Sequence, residues 1–149
     1  MDVTIRKLEE KDFHKGFLES LSHLFKVDLT PKESKKIYER MKDNPVYHIF
    51  AAEFEGEIVG VITLLIEQKY ILKGAKFGYL EDLAVRVGFE RRGIGKLLVE
   101  AVINEAKQEG CRLIRLDCND EVALLYEKCG FHKKNGVNRM QINLLPHLY

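Results

Sequence analysis

The chain has 149 residues, 46% of them apolar and 32% charged, the size and make-up of one soluble globular domain spanning residues 1–149. Its 24 basic and 23 acidic residues leave a formal net charge of +1, so there is no net basic field to draw in nucleic acid. No apolar run approaches the ~18 residues that span a bilayer, and Met1-Asp2-Val3-Thr4 does not open a charged-then-apolar signal; a cytoplasmic protein without nucleic-acid or membrane partners is expected.

Val3 to Leu8 alternates as an opening strand. Asp12 is placed to cap a helix whose Phe13, Phe17, Leu21, Leu24 and Phe25 share a face. Thr30, Pro31 and Glu33 are the cap, first position and third position of a second helix, with Ile37, Tyr38 and Met41 on its apolar side. Asn44-Pro45 ends it. Val46–Phe54 and Ile58–Ile66 are β-rich and joined by Glu55-Gly56-Glu57, a hairpin turn; the second strand can run on toward Ile71. A turn at Lys73-Gly74-Ala75-Lys76 precedes a strand over Phe77–Val85.

After that strand comes Arg86-Val87-Gly88-Phe89-Glu90-Arg91-Arg92-Gly93-Ile94-Gly95-Lys96, and then a helix with Ile94, Leu97, Leu98, Ala101, Val102 and Ala106 on one face. A helix start leaves its first N–H groups without carbonyl partners, and the helix dipole adds positive character. Gly93 and Gly95 permit close approach, and Arg91, Arg92 and Lys96 add charge. The junction reads as a site for phosphate or pyrophosphate, with a plain strand-to-helix turn as the alternative. It matches neither common phosphate motif. Leu98 stands where a dinucleotide fingerprint needs its third glycine, and Gly95-Lys96 is followed by Leu97 rather than a hydroxyl residue.

That helix stops near Gly110. Leu113–Cys118 reads as a short buried strand, Glu121–Cys129 as a helix stopped by Gly130, and Val137–Leu144 as a last strand. Cys111, Cys118 and Cys129 form neither a disulfide framework nor a zinc pattern, and each reads as a small buried apolar residue. Cys118 has no histidine–acid partner that would make it a nucleophile. His14, His23, His48, His132 and His147 show no ligand spacing, so no metal is expected.

Three motifs in fixed order carry a resemblance: Glu81-Asp82-Leu83-Ala84-Val85, Arg91-Arg92-Gly93-Ile94-Gly95-Lys96-Leu97-Leu98, and Leu124-Leu125-Tyr126-Glu127-Lys128-Cys129-Gly130-Phe131. The chain resembles the GNAT superfamily of acetyl-CoA-dependent N-acetyltransferases. The resemblance implies an α/β fold, a mixed and mostly antiparallel central sheet flanked by helices in the order β-α-α-β-β-β-α-β-α-β. It implies backbone contacts from Leu83, Ala84 and Val85 to the pantetheine arm of acetyl-CoA. The coenzyme pyrophosphate is implied on Arg91, Arg92, Gly93, Ile94, Gly95 and Lys96, and Tyr126 at the leaving thiol.

Lys15–Leu21, Ile66–Lys69, Tyr79–Asp82, Leu116–Cys118 and Met140–Ile142 resemble, more narrowly, the branch of the superfamily that acetylates the 2-amino group of glucosamine 6-phosphate. This implies a homodimer with sugar sites near the interface. It also implies Glu81 and Asp82 at the sugar and its amine, Asp117 positioning the amine and taking its proton, and Lys69 at the sugar phosphate. A solvated strand end, a helix cap and a solvated lysine are the plainer roles for these residues, and a core tyrosine is the plainer one for Tyr126. Glu81 and Asp82 alternate on a strand, so only one faces the ligand unless a bulge re-aims its neighbour. The chain departs from the branch at Glu90, where glutamine or arginine is usual, at Gln68 and Tyr79, where arginine and histidine are frequent, and at Asn143, where an arginine meets the sugar phosphate across the dimer. Acetylation of a peptide α-amine, a polyamine or another small amine therefore stays open, as does a non-catalytic acyl-CoA-binding module.

Overall fold

The structure, a computed structural model, describes residues 1–144; His147 lies outside them. One five-stranded sheet runs in the order β1 (Thr4–Lys7), β2 (Tyr47–Phe54), β3 (Glu57–Gln68), β4 (Lys76–Val85) and β5 (Cys111–Arg115). The first four strands pair antiparallel, and β5 returns parallel to β4. That return needs a crossover, which α4 (Ile94–Gln108) supplies. No helix among the described residues is long and apolar enough to cross a membrane.

Helices cover the two faces differently. On one face Ile94, Leu98, Val99, Val102 and Ala106 of α4 pack on Ile62, Leu64, Ile66 and Leu80, joined by Tyr126 of α5 (Asp120–Lys128). On the other, Phe13 and Phe17 of the first helical segment pack on Ala51, Ile58, Val61 and Ala84. The apolar side of α2 (Pro31–Met41) closes over them, with Tyr38 edge-on to Phe13 at 5.7 Å. Thr30 and Glu33 form the expected reciprocal cap, and Glu55-Gly56 make the hairpin turn with φ of 50° and 80°.

Several expectations are corrected. The first helix is broken into a 3-10 turn over Glu10–His14 and a five-residue α1 (Phe17–Leu21). Gly16 between them has φ +98°, and a Cβ there would lie 2.6 Å from the Ile58 carbonyl oxygen, so the chain breaks in order to press against β3. Asp12 is accordingly not the cap but the third residue of that turn: its carboxylate accepts from the Glu9 amide at 2.8 Å. Val137–Leu144 forms no strand, because no neighbouring strand within the described chain offers it a ladder, and Val137, Met140, Ile142 and Leu144 are exposed. The strand before α5 is Cys111–Arg115 rather than Leu113–Cys118, and Cys118 is exposed rather than buried. β3 ends at Gln68, and Ile71–Gly74 is a distorted turn, α3, with Leu72 and Lys73 left-handed.

Asp12 is fully buried, and the Arg6 guanidinium grips it with two bonds of 2.9 and 2.8 Å while also donating to Glu53 at 2.7 Å. Burial by itself would push the Asp12 carboxyl up, but the bonds from Arg6 and the Glu9 amide outweigh it and hold the carboxyl below its usual range. Removing one partner strands a buried charge. Arg6→Ala is expected to cost about 3–5 kcal/mol in urea unfolding, and a loss under about 1 kcal/mol would refute the assignment. A carboxyl held low contributes stability above its unfolded pKa. This contribution should therefore persist down to about pH 4 and fade below it.

Candidate active site

The glycine-bearing turn ends at Gly93, the residue before α4, with φ +81° and nothing within 4 Å of where a Cβ would stand. Arg91 is also left-handed, at φ 61°. Such alternation turns successive N–H groups inward as an anion-binding nest. No side chain among the described residues caps α4, and its ladder begins with the Leu97 amide on the Gly93 carbonyl at 3.1 Å. Among the described residues the amides of Ile94, Gly95 and Lys96 have no acceptor. Arg91, Arg92 and Lys96 are exposed around them. Glu90 braces the turn from within, since its carboxylate accepts from the Gly88 amide at 2.6 Å, and bonds to backbone amides hold it below the usual range.

The turn lies at the end of a split in the sheet. β4 pairs with β3 from Lys76 to Val85, but with β5 only from Lys76 to Tyr79. From Leu80 to Val85, including Leu83, Ala84 and Val85, the β5-facing edge of β4 has no strand partner among the described residues. At the far end of that edge a Cβ on Gly95 would lie 3.4 Å from Leu125 of α5 and 4.0 Å from Val85, so turn, strand and helix meet there.

Within the same stretch the register slips: Glu81 faces Thr63 and Ala84 faces Val61, so Asp82 and Leu83 together oppose Ile62. This is a β-bulge, and Asp82 takes φ 52° to make it. Simple alternation would send Glu81 and Asp82 to opposite faces. Instead Asp82 and Thr63 line the same apolar cavity of about 240 Å³ under α1 and α2, and Glu81 stands opposite Thr63. Burial raises the Glu81 carboxyl above its usual range, and the charges of Asp82 and Asp117 push it further, against Arg139.

Asp117 lies two residues beyond β5, exposed, with its Oδ2 3.8 Å from Arg139 Nε. Tyr126 is 7% exposed, and its ring packs edge-on to Phe131 at 5.9 Å, so it is a core tyrosine. Yet its hydroxyl makes no hydrogen bond with any described residue, and no fully buried side-chain oxygen or nitrogen is left unpaired, so the hydroxyl reaches accessible space. Its phenol is pushed up to about 12, by burial first and then by Cys118, Cys129 and Glu81. Lys69 is not simply solvated: its Nζ lies 2.8 Å from Glu67 and over the rings of Phe77 and Tyr79.

Tyr126, Glu81, Asp82 and Asp117 are thus brought to one place. Lys69 stands apart from them near the other end of β4, and the phosphate-type turn lies beyond Val85. Thr63 and Arg139 are additions that sequence reasoning missed, because cross-strand register and loop position have no local signature. A grouping with metal-like spacing, His48 with Glu105 and Glu109, occurs elsewhere. There the Lys7 ammonium already sits 2.5 Å from Glu105 and 3.2 Å from His48 Nδ1.

The model of the acetyltransferase (GNAT) family matches residues 5–131. The glucosamine 6-phosphate N-acetyltransferase of Arabidopsis thaliana is 34% identical over 135 residues, 88% of this chain and 91% of the relative. That of Candida albicans is 31% identical over 137 residues, 90% and 91% of the two chains. The crystal structure of the Arabidopsis thaliana enzyme superposes with a TM-score of 0.90 at 32% identity, covering 97% of this chain and 99% of that one.

Because Glu81 is raised by burial and by like charges, its folded form favours the proton, and ionising it at neutral pH opposes folding. Glu81→Gln is expected to raise Tm at pH 7 by about 1–2 °C, a modest gain because the side chain is only partly withdrawn from solvent and its charge is screened. The gain should vanish below the carboxyl's unfolded pKa, near pH 4. A fall in Tm at pH 7 would contradict the charge crowding.

Proposed function

The chain belongs to the acetyltransferase (GNAT) family, and we propose that it moves an acetyl group from acetyl-CoA to the 2-amino group of glucosamine 6-phosphate, as a homodimer in the cytoplasm. The observation that carries this reading is the split between β4 and β5, with partnerless amides at one end and the Tyr126 hydroxyl reaching open space beside it. The donor fits those features. The amides of Ile94, Gly95 and Lys96, with Arg91 and Arg92, suit a pyrophosphate, and the free edge at Leu83, Ala84 and Val85 suits an extended, amide-bearing arm. The names of the relatives supply the acceptor.

The chemistry is attack of a neutral amine on a thioester carbonyl: a C–N bond forms, the C–S bond breaks, and the amine's proton leaves. Glu81 and Asp117 hold the amine and accept its proton, and the raised Glu81 is the better matched base. Asp82 holds the sugar, and Lys69 its phosphate. Tyr126 faces the departing sulfur. A thiol of pKa about 8.5 is a far weaker base, once ionised, than a phenolate near 12. Full proton transfer from Tyr126 to the thiolate would therefore run uphill by ~5 kcal/mol. Tyr126 keeps its proton and donates a hydrogen bond, and the thiolate is protonated from solvent or from the proton the amine released.

The homodimer has a physical motive in the exposed Val137, Met140, Ile142 and Leu144, which a second copy would cover. The apolar cavity adjoining Asp82 favours a second acceptor class, a small amine with an apolar body.

Two measurements decide the reading. In an acetylation assay over glucosamine 6-phosphate, glucosamine, polyamines, arylalkylamines and peptides, the phosphorylated sugar should give the highest kcat/KM; preference for any other amine would overturn the acceptor. Tyr126→Phe should lower kcat about 10- to 100-fold, the worth of a hydrogen bond to a charged group, with acetyl-CoA affinity little changed. Unchanged turnover would remove Tyr126 from the reaction, and a fall beyond about a thousandfold would signal complete proton transfer.

A further inference from the structure

The sheet face that carries Glu81 also carries an unused cation. Residues opposed in neighbouring strands share a face, and every second residue along a strand returns to it. Leu65, Tyr79 and Arg115 form one row across β3, β4 and β5, and Thr63 and Glu81 form the next. On the far side of the first row stand Glu67, Phe77 and Leu113. Lys69 Nζ lies 5.3 Å from the centroid of the buried Phe77 ring, and the Arg115 guanidinium 5.0 Å from the same centroid. Two cations are thus gathered on one ring, with Glu67 as the nearby carboxylate.

Their charges are spent differently. Lys69 is paired with Glu67 at 2.8 Å. The Arg115 guanidinium is exposed and makes no hydrogen bond or ion pair with any described residue; its charge reaches Glu67 only at a distance, and the ring contact holds it in place while its side-chain donors stay open. A guanidinium held on an aromatic face and presenting a planar fork is suited to bidentate recognition of a phosphate monoester. Its row stands two strand residues before Glu81, about 7 Å along β4, which matches the breadth of a sugar ring carrying an amine on one side and a phosphorylated arm on the other. Asp117 follows Arg115 on the other wall of the split by the same two residues.

We propose that Arg115, backed by Lys69, is the anion-binding end of the acceptor site and sets its preference for a phosphorylated amine. The proposal rests on the acetyl-transfer reading above and adds to it a specificity residue on β5 of the same subunit. Because this contact lies away from the reacting atoms, it acts on acceptor binding more than on the chemical step.

The test compares kcat/KM for glucosamine 6-phosphate and glucosamine in the wild type, Arg115→Gln and Arg115→Lys. Arg115→Gln should lower the ratio of the two about 10- to 100-fold, through KM for the phosphorylated sugar, while the affinity for acetyl-CoA is retained. Arg115→Lys, which keeps a cation over Phe77, should recover part of the ratio. A ratio within twofold of wild type in Arg115→Gln overturns the proposal. Calorimetry with glucose 6-phosphate, which has no amine, on the complex with coenzyme A tests the subsite independently of turnover. Binding that Arg115→Gln weakens about tenfold or more supports it; no binding by the wild type, or equal binding by the variant, overturns it. If glucose 6-phosphate binds through Arg115 but neither amino sugar is acetylated, the acceptor reading fails and the subsite stands.

Discussion

The structure depends on a mismatch in one strand. β4 is paired along its whole length on the β3 side, yet it parts from β5 after Tyr79. The bulge at Asp82 and Leu83 lies within the parted stretch, where an extra residue bends the strand and increases its twist. Backbone groups in the middle of a sheet must find partners. A row of unpaired groups there, rather than at an outer edge, is a template for something extended to bind. The same bulge turns Asp82 toward the cavity that Thr63 lines, so the irregularity concentrates acid beside the slot.

Charge is distributed unevenly along the split. At one end, helix dipole, free amides, Arg91, Arg92 and Lys96 make a positive mouth. In the middle, Glu81, Asp82 and Asp117 crowd negative charge, and burial first and then that crowding raise the Glu81 carboxyl above its usual range. Tyr126 stays neutral between them because burial disfavours its phenolate. The protein's net charge of +1 conceals this pattern entirely.

What was legible depended on how local each feature is. The turn before α4 could be read because helix starts announce themselves within a few residues, and Thr30-Pro31 with Glu33 announced α2 in the same way. The break at Gly16 was missed because Phe13, Phe17 and Leu21 keep helical spacing across it; the glycine is needed for its contact with Ile58, which is remote in sequence. Val137–Leu144 has a strand's composition, but a strand exists only where a neighbour completes its hydrogen bonds, and no described segment does so. Tyr126 has the plainer role that its helix spacing allows, a ring in the core, and its hydroxyl has no hydrogen-bond partner among the described residues.

From the order of its residues alone this chain determined most of its element types, the glycine-bearing turn with uncapped amides before α4 and the motifs that tie it to its family, because each depends on neighbours a few positions apart. Tertiary structure alone decided that Glu81, Asp82 and Asp117 gather near one another, that β4 and β5 part company, that the Tyr126 hydroxyl has no partner among the described residues, and that Arg115 shares a ring with Lys69. Those facts rest on register and on contacts between strands far apart in the chain, and a slip of one residue would have reversed every face.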